Sequence, residues 1–166
     1  MCESRFLEKI NGILQHADFQ KYMRQNRQAE KDRVFCHHDW QHALDVARIC
    51  YILCLEKGIF TQSKLDGKLL CYATALLHDI GRFAEAADTH CDHALMSTLL
   101  AQPILEELSF EQEEQMLILE AIRLHRHKGQ CGFAGVFYEA DKKSRTCFFC
   151  EQREFCKKKP PVTLFY

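Results

Sequence analysis

Glycine and proline are scarce, seven and three in a chain of 166 residues. That scarcity argues against collagenous, low-complexity or turn-dense all-β architectures. No stretch alternates apolar and polar residues over strand length, and no segment repeats. The longest apolar run, "ICYILCL" at 49–55, falls far short of the ~20 residues that span a bilayer, so no membrane association is expected. An excess of one charge is also missing. The formal net charge is -1, which leaves no basic field for a nucleic-acid polymer and no acidic surplus of the kind that keeps chains disordered. The opening "MCESRFLEKINGILQ" has no basic segment followed by an apolar one, so a cytoplasmic location is expected.

What is present is ordinary for a globular chain: 47% apolar and 27% charged residues, enough for one domain over 1–166 with a real core. The few glycines and prolines fall between segments of helical periodicity, which predicts an all-α fold of about six helices. They are expected near 3–24, 39–57, 63–80, 90–107, from after Ser109 to about His127, and 136–146. Asp39 is placed as an N-cap and Gly58 as a stop. Gly81 ends the third helix, and "SFEQ" from Ser109 fits a capping box. "RQNRQAEKDR" either extends the first helix or connects it. "KGQCGFAG" is expected as a loop and the tail "CKKKPPVTLFY" as irregular.

The histidines carry the chemistry. His42 falls in the first turn of the second helix. His78 and Asp79 close the third, and His93 opens the fourth on the side of Met96 and Leu100. His125 shares the Ile118/Ile122 face, and Asp141 sits in the last helix. Each is a polar group on or near an apolar stripe of a different helix. Burying such groups unpaired costs roughly 1–3 kcal/mol apiece even on lenient scales. One divalent cation, or two, would satisfy the set, and imidazole and carboxylate suit Mn, Fe, Co, Ni or Zn. Adjacent helical residues diverge by about 100°, so a cation on the bisector of His78 and Asp79 is within reach of both. A lone helix-face histidine is usually structural; the four residues His42, His78, Asp79 and Asp141 taken together are what point to metal.

"HDWQHALDVARI", "ALLHDIGRF" and "EADK" together resemble the HD-domain superfamily of metal-dependent phosphohydrolases, over about residues 34–145. The resemblance implies an HD-like helical bundle around a metal site, with His42, His78, Asp79 and Asp141 as ligands of a divalent metal (Mn, Fe, Co, Ni, Mg or Zn). Some members hold a second metal through further histidines. His93 and His125 are suitably placed, and His90 and His127 compete for that role. His37 and His38 are assigned to positioning the helix start or lining the pocket, and His16 to the surface.

Bound metal acidifies water and polarises a phosphoryl oxygen, which is most of what phosphate-ester hydrolysis requires. Asp79 is assigned both a ligand and a proton-accepting role. Arg82 is the first candidate for holding phosphate in the site, followed by Lys142 and Arg145, then Arg126 and Lys128. The expected partner is a small phosphorylated compound, a nucleotide among the candidates. Two other classes compete: a di-iron oxygenase of the same fold, and a sensor that binds metal and nucleotide without turnover. Nothing in the sequence decides the oligomeric state.

Ten cysteines remain. Cys50, Cys54 and Cys71 lie in apolar helical runs, where thiols act as small hydrophobes. "CFFCEQREFC" is different, because it brings Cys147, Cys150 and Cys156 together with C-x2-C spacing. Cys36 lies six residues before His42, and Cys147 six after Asp141. If those two segments run antiparallel beside a shared metal, Cys36 meets the cluster; Cys131 is the rival. Four thiolates would hold zinc or an iron–sulfur cluster. The pattern resembles that of bacterial HD-domain sequences with a C-terminal cysteine cluster.

Overall fold

The computed structural model of the protein describes residues 2–156. Among them are eight α-helices: α1 (Cys2–Gln15), α2 (Ala17–Ala29), α3 (Trp40–Glu56), α4 (Gly67–Leu77), α5 (Arg82–Ala87), α6 (His93–Glu107), α7 (Gln112–Leu124) and α8 (Gly132–Lys143). Two short 3₁₀ turns follow, Cys147–Phe149 and Arg153–Phe155. The described residues contain no strand, as the period of the apolar pattern requires. None of their helices is long and apolar enough to cross a membrane.

The sequence of α4 explains the arrangement. From Leu69 to Leu77 every residue but Tyr72 is buried. A helix apolar on all sides belongs in the middle of a bundle, and α4 packs against α1, α3 and α7, while α8 lies against α3 and α7. Leu69, Leu70, Leu77, Ile104, Ile118, Ile122 and Phe137 are wholly buried in one continuous core. Cys50, Cys54 and Cys71 belong to it, with the Sγ atoms of Cys71 and Cys54 3.7 Å apart. The C-terminal end of α4 therefore delivers His78 and Asp79 to the centre of the molecule.

Several helix ends follow the sequence signals. The Asp39 carboxylate accepts from the amides of Gln41 and His42 at 3.0 and 3.1 Å. At the far end of α3, Ile59 N donates to Cys54 O at 2.9 Å and Gly58 N to Leu55 O at 3.3 Å. This double closure needs a left-handed residue, and Gly58 supplies it with φ +66.

Other ends depart from expectation. The first helix is two, because His16 leaves helical geometry (ψ 129) and caps α2 through its Nδ1. It is partly buried, with Nε2 3.1 Å from Glu107, and is not a free surface side chain. The third helix is shorter than 63–80 at both ends, since Asp66 caps it by accepting from Leu69 N and it ends at Leu77. The fourth begins at His93 behind an Asp92 cap, and α5 occupies part of the preceding link. Before α7 the cap falls on Glu111, not Ser109, whose φ is 53. Glu114 accepts from the Glu111 amide at 3.0 Å. Helix α8 starts inside the expected loop, because Phe133, Ala134, Val136 and Phe137 are buried and their packing outweighs weak glycine propensity. Of the tail expected to be irregular, residues 157–166 lie outside the described residues.

Candidate metal centre

Chain direction and packing converge on one corner, the turn from His78 to Gly81 between α4 and α5. Gly81 is required there by contact. A Cβ would sit 2.6 Å from Ser97 N and 2.9 Å from Met96 C, both backbone atoms of α6. Its amide donates to Ser97 Oγ at 2.9 Å. The crowding that glycine relieves is thus with α6, not with the metal site. On the opposite side, buried Asn26 of α2 donates to Asp79 O at 2.9 Å and accepts from Phe83 N at 2.8 Å.

Around this corner the structure gathers His42 from α3, His78 and Asp79, His93 from the start of α6, His125 from the end of α7, and Asp141 from α8. His42 Nε2 lies 3.3 Å from Asp141 Oδ1 and 3.8 Å from Asp79 Oδ2, and His78 Nε2 lies 3.1 Å from Asp79 Oδ2. The other carboxylate oxygen turns the opposite way. Asp79 Oδ1 lies 3.3 Å from His93 Nε2 and 3.6 Å from His125 Nε2. Two ligand groups result, His42/His78/Asp141 and Asp79/His93/His125, each with its donor atoms within 4.8 Å of one another. Asp79 faces both.

The donors fit a cation. His42 Nε2, His78 Nε2 and Asp79 Oδ1 are buried without a hydrogen-bond partner, which folded proteins rarely tolerate unless something else satisfies the group. Each ring is held from behind so that Nε2 points inward. Nδ1 of His78 donates to Ala75 O at 2.8 Å, and that of His125 to Ile122 O at 2.6 Å. Nδ1 of His93 faces the Glu85 carboxylate. Ser144 gives its hydroxyl proton to Asp141 O at 2.9 Å, leaving its oxygen 3.3 Å from His42 Nδ1. Outer partners of this kind fix the ligating tautomer.

Electrostatics agree. Burial opposes ionisation of Asp79, but His78, His93 and His38 together outweigh it and hold the carboxyl well below the usual range. Asp141 is likewise held well below despite burial, by the His42 hydrogen bond and the charge of Lys142. Burial pushes His125 down to about 4, with Asp79 pulling the other way, so its lone pair is available at neutral pH.

A cavity of about 370 Å³ opens over the centre. Arg33, Arg82, Arg126, Lys142 and Arg145 line it. Lys142 pairs with Asp141 Oδ2, and Arg145 Nη2 lies 3.6 Å from Asp141 Oδ1. Arg82 is held by Glu30 at 3.0 Å, with Nη1 3.4 Å from His93 Nε2. Lys128 is exposed and not among the lining residues. His90, His127 and His37 are also exposed. His38 is buried instead, with Nδ1 2.8 Å from Glu30 Oε1 and Nε2 4.0 Å from Asp79 Oδ2. Sequence reasoning did not find Asn26, Glu30, Glu85 or Ser144. The first two sit in a stretch that reads as uniformly polar, and Glu85 in a link. Only Ser144 carried a signal, one helical turn after Asp141.

Comparison with known proteins bears on the family. The family described as "HD domain" matches residues 39–146. An uncharacterized protein of Clostridium beijerinckii is 35% identical over 150 residues, covering 90% of this chain and 92% of its own. A crystal structure of a predicted HD superfamily hydrolase from an uncultured Thermotogales bacterium superposes with a TM-score of 0.51 at 27% identity. That alignment covers 74% of this chain and 66% of the solved one, just under two thirds. With the His-Asp corner, the inward histidines and the helical bundle in place, the chain belongs to the HD-domain family.

Proposed function

We propose that the protein is a metal-dependent phosphohydrolase acting on a small phosphorylated compound, with a nucleotide among the candidates. One observation carries the reading: five cationic side chains line the same cavity as four carboxylates, two of which, Asp79 and Asp141, face the metal-ligand groups. A di-metal ligand set alone also suits oxygen chemistry. A cationic wall beside it suits an anionic substrate, and planar guanidinium groups match phosphate oxygens.

His42, His78 and Asp141 would hold one divalent cation, and Asp79, His93 and His125 a second; Asp79 Oδ2 also faces the first group. Bound there, such cations supply a water of lowered pKa and charge neutralisation at the phosphoryl group. The protein's own groups do the rest. Arg82, Lys142 and Arg145 hold the phosphate over the Asp79 corner. Glu30 orients Arg82 and His38 together. His38, braced by Glu30 and facing the centre with Nε2, is placed to take a proton from the attacking water. Asp79, with both oxygens turned to histidines, serves as a ligand first. A cytoplasmic setting belongs to the same proposal.

The test is phosphate release from a panel of nucleotides and small phosphate esters, with Mn, Fe, Co, Ni, Mg or Zn added in turn. Release is expected to require the cation and to vanish in Asp79→Ala while helical content persists. No turnover of any ester with any cation, or full turnover by Asp79→Ala, sinks the assignment. Iron-dependent oxygen consumption in place of phosphate release would move it to the oxygenase class.

A further inference from the structure

Outside the histidine centre, the described residues place a set of thiols around a neighbouring cavity that shares Arg145 with the first. Cys147 begins one 3₁₀ turn and Cys150 follows it, while Cys156 follows the next. Two successive tight turns thus present three thiols within ten residues. The fourth thiol comes from far away in sequence. Cys36 lies in the link between α2 and α3, its carbonyl held by Arg33 Nε at 2.8 Å. Cys36, Cys147 and Cys150 line one cavity of about 460 Å³. Cys156 closes the second turn, its amide donating to Arg153 O at 3.1 Å, nine residues after Cys147. All four are partly exposed, unlike Cys50, Cys54 and Cys71, which are buried in the core with their sulfurs within 4.8 Å of one another.

We propose that Cys36, Cys147, Cys150 and Cys156 form a four-thiolate metal centre that ties the tail and the 33–38 link to the pocket wall. Four thiolates with C-x2-C spacing are the donor set of structural zinc and of iron–sulfur clusters. Among the described residues these thiols are not one of the groups whose donors close to within 4.8 Å. Binding a single zinc ion at about 2.3 Å from each sulfur would therefore have to draw the thiols together. Charge supports occupancy by either. Four thiolates around a divalent ion leave net negative charge, and the Arg145 guanidinium sits against Cys36. Arg145 also reaches Asp141 at 3.6 Å and lines both cavities. Loading the thiolate centre would therefore fix the position of a phosphate-pocket cation.

The experiment uses the full chain, prepared without oxygen and stripped of metal. One arm adds Zn2+ or its spectroscopic substitute Co2+. The other adds ferrous iron with sulfide. The expected result is thiolate-to-cobalt charge transfer with tetrahedral bands in the first arm, or a broad visible band with acid-labile sulfide in the second. The arm that gives the tighter, stoichiometric product names the metal. Each spectrum should disappear in Cys36→Ser and in Cys150→Ser, and survive in Cys54→Ala, Cys131→Ser and Asp79→Ala. Bound metal should also protect four thiols from alkylation, a readout that holds even if a variant folds poorly. A spectrum absent from both arms overturns the proposal. So does one that persists in Cys36→Ser or is lost in Cys54→Ala or Cys131→Ser. Because Asp79→Ala keeps this centre, its failure and failure of the hydrolase reading are separable.

Discussion

Asn26 holds Asp79 by its backbone: the side-chain amide of α2 donates to the Asp79 carbonyl at 2.9 Å, in the interior. Its oxygen takes the Phe83 amide at 2.8 Å. One side chain thus bonds both sides of the tight turn that carries the metal-facing carboxylate. Asn26→Ala leaves the Phe83 amide without this partner and Asp79 O with the Arg82 amide alone, at a cost of about 1–3 kcal/mol. Urea denaturation is expected to show a loss in that range, with weaker metal retention. A variant as stable as the parent would show that water replaces the clamp.

Gly81 meets α6 backbone to backbone. In Gly81→Ala the new methyl would lie 2.6 Å from Ser97 N, and no side-chain rotation relieves that. The corner must move away from α6, at a cost of about 1–3 kcal/mol. The expected outcome is a lower melting temperature together with weaker cation binding. Unchanged cation affinity would show that the corner and the ligand set are not rigidly linked.

Glu85 faces Nδ1 of His93 from α5. Removing its charge in Glu85→Gln should leave the fold intact and loosen the Asp79/His93/His125 group. Outer partners of this kind contribute about 10–100-fold in metal affinity. Calorimetric titration with Mn2+ or Co2+ should show one weakened site beside one unaffected site. Equal weakening of both, or of neither, would contradict the division of ligands around Asp79.

Arg5 and Glu114 join α1 to α7 by two hydrogen bonds of 2.8 Å. Burial raises the Glu114 pKa, but the Arg5 hydrogen bonds and the Glu111 amide outweigh it, so the carboxyl lies below its ordinary 4.5. A group depressed in the folded state contributes stability above its unfolded value and loses it as pH falls through the folded one. Glu114→Gln should therefore cost about 1–3 kcal/mol near neutral pH. The gap to the parent should hold down to about 4.5 and close below it. A gap that widens with acid would reverse the sign and rule out this pairing. Urea curves of both proteins across that range decide it.

The all-helical fold was legible because apolar residues recur with helical period and glycine marks the ends; Gly58 and Asp39 act as read. The six polar residues of the centre were legible because each interrupts an apolar face. Asn26, Glu30 and His16 were not. In the sequence they stand among arginines, glutamines and lysines, and nothing local distinguishes a polar side chain that turns inward. The start of α8 was misplaced for the converse reason: its glycines speak for a loop, and only the burial of Phe133 and Phe137 overrides them.

By itself, then, the amino-acid order determined which segments are helical and which side chains are too polar for the faces they occupy. Those are local properties, set by hydrophobic period and hydrogen-bonding chemistry. Tertiary structure alone decided that the two oxygens of Asp79 face separate histidine groups, and that His38, not His90 or His127, joins the site. It also decided that Arg145 stands between the carboxylate centre and the tail cysteines. Such relationships depend on the angles at which helices pack, and those are fixed by contacts between residues many positions apart.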